Sequence, residues 1–348
     1  MKKNTKKPVK SAYAAAGVDI DEMDRGLKSI KKAVSGTRTP GVLSEIGSFG
    51  GLFRSPGRGQ VLVASTDGVG TKLKVAHMAG RHDTVGQCLV NHCVNDILTQ
   101  GATPLFFLDY IGTAHLAAPV FASVVKGMCK ACRENGCALL GGETAEMPGL
   151  YPQGEYDLVG TIVGVVDEKR IVTGAKIRPG DVLIGLPSTG LQTNGYSLAR
   201  KIAFEQEKMS LKDLVPGTNR TFEDVLLAVH GSFLKPVLAV RESGARIHGM
   251  AHITGGGLVD NVPRMLPKTT DAVFDRASWK VPPIFTWLQE KGRIDPMEMF
   301  RVFNIGIGYV IAVPRKDAAK ALNALERAKA SPIVVGAIEK GSGITRFK

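Results

Sequence analysis

The chain has 348 residues, 44% of them apolar and 22% charged, with 41 glycines and a formal net charge of +13. That length is long for one hydrophobic core and points to two domains, each large enough to fold without disulfide or metal staples. No apolar run reaches the roughly 20 residues of a membrane span, and the basic N-terminus has no signal-peptide core, so the expected location is cytoplasmic with no membrane partner.

Lys2, Lys3, Lys6, Lys7 and Lys10 concentrate charge in a tail, residues 1–12, that reads as disordered. The other basic residues are scattered without aromatic interleaving, so the charge predicts general attraction to polyanions and no specific nucleic-acid partner. Residues 19–34 read as a helix capped by Asp19 or Asp21 and closed before Pro40. Gly47 to Phe53 is glycine-rich and either wraps a phosphate with backbone N–H groups or makes a plain hairpin turn.

Val61 to Lys72, VLVASTDGVGTK, organises the chain. An apolar strand delivers an acid, two glycines, a hydroxyl and a lysine at its carboxyl end. Asp67 can hold a cation, Lys72 can neutralise an anion, and Gly68 and Gly70 let the backbone approach a ligand. An acidic turn closing a hairpin would use the same residues. Thr84 to Gln100 reads as a helix with Val90, Cys93 and Ile97 in its core and Gly101 as its stop. Asp96 falls on or beside that stripe, where a carboxylate is costly unless it is paired, capping or metal-bound.

Leu105 to Ile111 is a strand carrying Asp109, and Ala118 to Asn135 an amphipathic helix stopped by Gly136. Ala138 to Leu140 reads as a strand ending in Gly141-Gly142-Glu143, followed by the alternating strand Tyr156 to Val166. A polar stretch then places a domain boundary near 172, giving domains 1–172 and 173–348. The strand Asp181 to Leu186 leads to a hydroxyl-rich and amide-rich loop through Asn194, Gly195 and Ser197. His248 to Thr254 feeds Gly255-Gly256-Gly257, where a helix start behind glycines suits an anion. A last strand and helix follow Asn304 to Gly308.

Five cysteines, Cys88, Cys93, Cys129, Cys132 and Cys137, are expected to be reduced. Cys129 and Cys132 have redox or zinc spacing but fall in a helical stripe, which favours small buried residues. No Walker loop, dinucleotide fingerprint or nucleophile elbow occurs. What remains is Asp67, Asp96 and Glu143, each expected at the end of its own element, hard oxygen ligands suited to Mg²⁺ carried with a triphosphate.

Gly17-Val18-Asp19-Ile20-Asp21, Thr66 to Lys72, Val94-Asn95-Asp96, Phe107-Leu108-Asp109-Tyr110, Gly141 to Gly149, Asn194 to Leu198 and His252 to Gly257 together resemble the phosphoribosylformylglycinamidine cyclo-ligase family from about Tyr13 to the end. The resemblance implies an α/β (α+β) protein of two domains, with an N-terminal ATP-binding sheet pairing across a homodimer into a barrel. A C-terminal α/β sandwich would complete the active-site crevice. It implies ATP with Mg²⁺ as cofactors and formylglycinamidine ribonucleotide as substrate. Carried over by position, Asp67, Asp96 and Glu143 would face the metal. Lys31, Gly47, Gly50, Gly51, Asp67, Gly68, Gly70, Thr71, Lys72, Asn95, Asp109, Gly142 and Glu143 would serve the nucleotide. Asn194, Gly195, Ser197, Thr254, Gly255, Gly256 and Gly257 would line the substrate crevice. His252, Lys31 and Asp67 are the expected catalytic groups, with His252 handling a proton or else buried beside the glycines.

The chain departs from the family's pattern at Gln192, where related enzymes often have a histidine. A selenophosphate synthetase would carry a reactive cysteine near the N-terminus, and this chain has none before Cys88; a hydrogenase-maturation relative would end in cysteine, not Arg346-Phe347-Lys348. A non-catalytic basic binding protein would show no ATP turnover.

Overall fold

A computed structural model of the protein describes residues 11–15, 41–44, 49, 51–55, 57 and 59–348. The expected helix over 19–34, the five tail lysines, Lys31, Gly47 and Gly50 lie outside the described residues. Where the tail was expected to extend to residue 12, a helical turn, Ala12–Ala15, begins instead. Tyr13 is buried there, and its backbone N–H donates to Glu298 Oε1 at 3.2 Å.

The first sheet holds β1 (Gly51–Arg54), β2 (Gln60–Gly68), β3 (Thr103–Thr113), β4 (Ala138–Glu146) and β5 (Tyr156–Asp167), in the order β1-β2-β5-β3-β4. Strand β5 alternates between buried and half-buried residues along its length, because side chains on a strand point alternately to opposite faces. Its buried residues Leu158, Ile162 and Val166 join Val61 and Val63 of β2 and Phe107 and Ile111 of β3 in one inner face. Covering that face is helix α2 (Val85–Leu98), which follows α1 (Lys72–Ala79), and α3 (Ala118–Asn135) packs on α2. Among the described residues the opposite face has no such cover: Leu108 is 37% exposed and Leu140 63%.

Strand β4 corrects one expectation. The strand expected to end at Leu140 continues through Gly141, Gly142 and Glu143 to Glu146, paired in parallel with β3 so that Asp109 faces Gly142 and Tyr110 faces Glu143. Glu143 is therefore an exposed residue within an edge strand, and does not end an element.

The second sheet holds β6 (Val182–Pro187), β7 (Gly249–His252), β8 (Thr270–Phe274), β9 (Ile307–Val313), β10 (Ile333–Lys340) and β11 (Thr345–Phe347), ordered β11-β8-β10-β6-β9-β7. Helix α4 (Leu234–Glu242) packs with α6 (Ala318–Arg327), and the short α5 (Gly257–Asn261) follows β7. Two strands, β10 and β11, lie beyond the strand and helix expected to be last. A Cβ at Gly257, which has φ of +56°, would stand 2.0 Å from Phe300 O, so only glycine admits the turn into α5.

Helices α2 and α3 meet at glycine. A Cβ at Gly86 would lie 2.2 Å from Val124 O, and one at Gly127 would lie 2.6 Å from Asp83 O. Backbone atoms cannot rotate away as a side-chain tip can, so Gly86→Ala is expected to cost about 3 kcal/mol, read as a lowered Tm. An unchanged Tm would show that the helices separate freely.

Candidate functional site

Helix α2 is the seam of the molecule. All 14 of its residues are buried, its apolar side against the first sheet and its polar side against loops of the second half. Asn91 Nδ2 donates to His230 O at 2.7 Å, and Asn95 Nδ2 donates to Gly231 O at 2.8 Å. Phe233 N–H returns to Asn95 Oδ1 at 2.9 Å. These bonds satisfy polar groups that would otherwise be stranded in the core.

Seven ionisable or hydroxyl side chains on or across this seam form a continuous cluster. His92 Nε2 lies 2.8 Å from Asp67 Oδ2 and 3.9 Å from Asp96 Oδ2, while His92 Nδ1 lies 2.7 Å from Thr193 Oγ1. Asp96 Oδ1 lies 2.8 Å from His252 Nδ1, and Ser65 Oγ donates to Asp96 Oδ2 at 3.2 Å. His252 Nε2 lies 2.9 Å from His230 Nε2, and His230 Nδ1 lies 3.3 Å from Thr193 Oγ1. Asp67 and Ser65 reach the cluster because odd-numbered residues of β2 share the face that α2 covers. His92 and Asp96 meet them because residues four apart share one side of a helix.

The structure brings several predicted residues together. The β2–α1 loop meets the loop before Tyr196, with Thr71 Oγ1 and Ser197 Oγ 2.9 Å apart. Asn194 Nδ2 lies 3.3 Å from where a Gly255 Cβ would stand, so the 194–197 and 254–257 segments adjoin. Asn261 Nδ2 donates to the carbonyls of Thr254, Gly255 and Gly257 and holds that turn. Gly195 and Gly256 adopt positive φ beside it. Asp67 and Gly68 end β2, and Gly70, at positive φ, lies in the turn just before Thr71.

Other expectations need correction. Lys72 is fully buried, its ammonium donating to Gln192 O at 2.8 Å, Ala228 O at 2.6 Å and Cys88 Sγ at 3.2 Å. It clamps two loops of the second half and does not face a phosphate. Asn95 is fully buried and its amide bonds Gly231 O and Phe233 N–H across the seam, which gives it a role in joining the halves. His252 is 0% exposed with both ring nitrogens engaged, so the expected proton-handling contact with substrate is not available to it. Gly51 opens the edge strand β1 and is no loop residue.

Glu143 does not join Asp67 and Asp96 within one chain. Asp67, Gly160, Asp109 and Gly142 form a row across the sheet, and three strand spacings of about 4.8 Å separate its ends. Glu143, one residue on, turns to the other face. Asp109 stays against Gly142, and burial raises its carboxyl above the usual range.

The sequence reading missed His92, Thr193 and His230. The first had a signal, since His92 and Asp96 stand four apart on a predicted helix. Gln192 is 2% exposed at φ of 62°, and its side-chain amide has no partner among the described residues.

Residues 48–166 match the family model described as AIR synthase related protein, N-terminal domain, and residues 178–347 match the one for its C-terminal domain. A phosphoribosylformylglycinamidine cyclo-ligase of Alkaliphilus metalliredigens is 46% identical over 336 residues, 96% of this chain and 96% of the relative. Another, of Geobacter metallireducens, is 51% identical over 331 residues, 94% and 95% of the two chains. Among solved structures, a thiamine-monophosphate kinase of Stenotrophomonas maltophilia K279a aligns with a TM-score of 0.64 at 16% identity, over 92% of this chain and 95% of its own. The HypE-HypF complex gives 0.65 at 18%, over 86% and 90%. At these identities the likeness is one of fold.

Burial pulls the His92 pKa down, but the charge and contact of Asp67, with Asp96 behind, outweigh it and push it up to about 9. A unit charge about 4 Å away contributes about 4 kcal/mol at a protein-like dielectric, enough to offset the burial. Burial would raise Asp67, and the facing His92 charge brings it below its ordinary value. His252 is depressed by burial against the pull of Asp96, and His230 is depressed further by burial and by its two imidazole neighbours. His92 therefore contributes stability that is complete below its unfolded pKa of about 6.5 and is lost as pH rises through about 9. The depressed pair acts in the opposite sense, below about 6.5. In metal-free protein, the stability difference between wild type and His92→Gln is expected to shrink from pH ~6.5 to ~9 in denaturant titrations. A constant difference would contradict the pairing.

Proposed function

The chain belongs to the AIR synthase family, and we infer from that membership, together with the crevice between its halves, an ATP-dependent cyclo-ligase of de novo purine biosynthesis. Its reaction closes formylglycinamidine ribonucleotide to 5-aminoimidazole ribonucleotide and releases ADP and phosphate. Relatives carrying the cyclo-ligase name match this chain almost end to end at 46% and 51% identity. The observations that support the site reading are the 2.9 Å approach of Thr71 Oγ1 to Ser197 Oγ and the packing of Asn194 against Gly255, which draw segments of the two halves together.

A formamide oxygen is a poor leaving group. Its phosphorylation by ATP makes it a good one, and attack by the amidine nitrogen on the activated carbon then closes the ring and expels phosphate. The crevice would hold the two reacting ends together, which removes the entropy cost of their encounter. Asn194 and the hydroxyls of Thr71 and Ser197 are placed to orient substrate, and the backbone of Gly255 and Gly256 allows close approach. We assign residues 1–172 to nucleotide binding and dimerisation and residues 173–348 to completing the crevice, with Lys31, Gly47 and Gly50 carried over as phosphate contacts.

Asp67 keeps 41% of its side-chain surface exposed and fits a magnesium ion arriving on the triphosphate. Asp96, only 8% exposed, turns its oxygens to His252 and Ser65 inside the seam, away from an ion carried in on the triphosphate. Bound magnesium would offset charge on the transferring phosphoryl group. The uncovered face of the first sheet, with Leu108 and Leu140, supports a homodimer joined there. All five cysteines are free, which accords with a cytoplasmic location.

Two measurements test this reading. ADP release is expected only with formylglycinamidine ribonucleotide present, and Asp67→Asn should lower kcat by about a hundredfold or more while leaving the circular dichroism spectrum intact. Near-normal turnover would remove Asp67 from the phosphoryl site. Sedimentation should give twice the chain mass, and Leu108→Glu should give the single-chain mass; an unaffected dimer would place the interface elsewhere.

A further inference from the structure

His92, Asp96 and His252 each place a donor atom within 4.8 Å of the others, and all three residues are buried. Two come from α2, one turn apart, and the third from the end of β7, so the group exists only when the two halves are joined.

Three features distinguish this group from a closed hydrogen-bond network. His92 Nε2 lies 2.8 Å from Asp67 Oδ2 and 3.9 Å from Asp96 Oδ2, an ion pair in which, among the described residues, the nitrogen makes no well-aligned hydrogen bond. A buried pair compensates its desolvation fully only when its geometry is good, and a cation between the nitrogen and the acids would engage all of them. The far nitrogens of both rings are held in place, His92 Nδ1 by Thr193 Oγ1 at 2.7 Å and His252 Nε2 by His230 Nε2 at 2.9 Å. Metal-bound imidazoles are nearly always fixed by such an outer partner. The donor spacings also suit an ion, because a tetrahedron with bonds of about 2.0–2.1 Å has edges of about 3.4 Å, and 2.8 and 3.9 Å bracket that length.

We propose that His92 Nε2, Asp96 and His252 Nδ1 form a buried site for a divalent transition ion, with Asp67 Oδ2 as the fourth donor. Magnesium seeks an all-oxygen octahedron, whereas two imidazoles with carboxylates suit Zn²⁺, Co²⁺, Mn²⁺ or Fe²⁺. The site is distinct from magnesium carried on a triphosphate; Asp67 would bridge the two, one oxygen inward and its exposed edge toward the crevice. Coordination needs His92 Nε2 and His252 Nδ1 free of hydrogen: the His92 imidazolium releases its Nε2 proton to solvent, and the His252 ring hydrogen moves to Nε2, which donates it to His230 Nε2. His230 then acts as a positioning residue, holding the His252 ring for coordination.

The test uses full-length protein stripped with a chelator and titrated with Co²⁺, read by visible absorption, with metal content by mass spectrometry. One equivalent per chain, with the strong visible bands of a tetrahedral nitrogen and oxygen site and a raised Tm, is the expected result. Excess Mg²⁺ should not reproduce it. Pulsed electron paramagnetic resonance on the Mn²⁺ form should show coupling to imidazole nitrogen, a readout that needs no variant to fold. His230→Gln is expected to weaken Co²⁺ binding about 10- to 100-fold, and His92→Gln by at least as much. No stoichiometric binding, no nitrogen coupling, or a thiolate charge-transfer band placing the ion on cysteine would overturn the site. Metal is counted whether or not the enzyme turns over, so failure here leaves the cyclo-ligase reading standing, and failure of ADP release leaves the metal count standing.

Discussion

The contact between Asp96 and His252 is the constraint around which the molecule is arranged. A carboxylate on a helix with every residue buried would be costly alone, and its 2.8 Å partner comes from a strand 156 residues away. Neither half can bury its share of the seam without the other. Asn91, Asn95 and Lys72 repeat the pattern, each turning a group on the first half toward a backbone carbonyl on the second. Beyond these bonds the join continues through Thr71 with Ser197 and Asn194 with Gly255.

The charge balance of the cluster follows from the same burial. Three imidazoles packed together cannot all be protonated, and only His92, facing two acids, holds a proton well above neutrality. His230 and His252 are held neutral, leaving them able to accept as well as donate hydrogen bonds. A cluster so poised is sensitive to anything that changes one member, whether a cation, a nucleotide phosphate at the crevice mouth or a shift between the halves.

Much of the fold was legible where one principle acted alone. The helix Ala118–Asn135 and its Gly136 stop were read to the residue because one face is apolar and the other wet. Strand β5 alternates because one of its faces is uncovered. Legibility failed where tertiary contacts override pattern. Helix α2 showed an apolar stripe, yet its polar side is buried too, which no single segment can reveal. Glycines at 141 and 142 suggested the end of a strand, but neighbouring β3 keeps that backbone extended. Strands β10 and β11 escaped because they follow a helix near the end of the chain and the bulge at Val335 interrupts the pairing of β10 with β6.

At the site, the acids were found and their company was not. Asp67 and Asp96 converge as expected, but with histidines in the place given to Glu143, and Lys72 binds backbone carbonyls in place of phosphate. The most direct measurement is a double-mutant cycle on unfolding free energy with Asp96→Asn, His252→Gln and the double variant. Coupling of at least about 2 kcal/mol is predicted, because removing one partner strands the other in the core. Additive effects would show that Asp96 and His252 do not hold the two halves together.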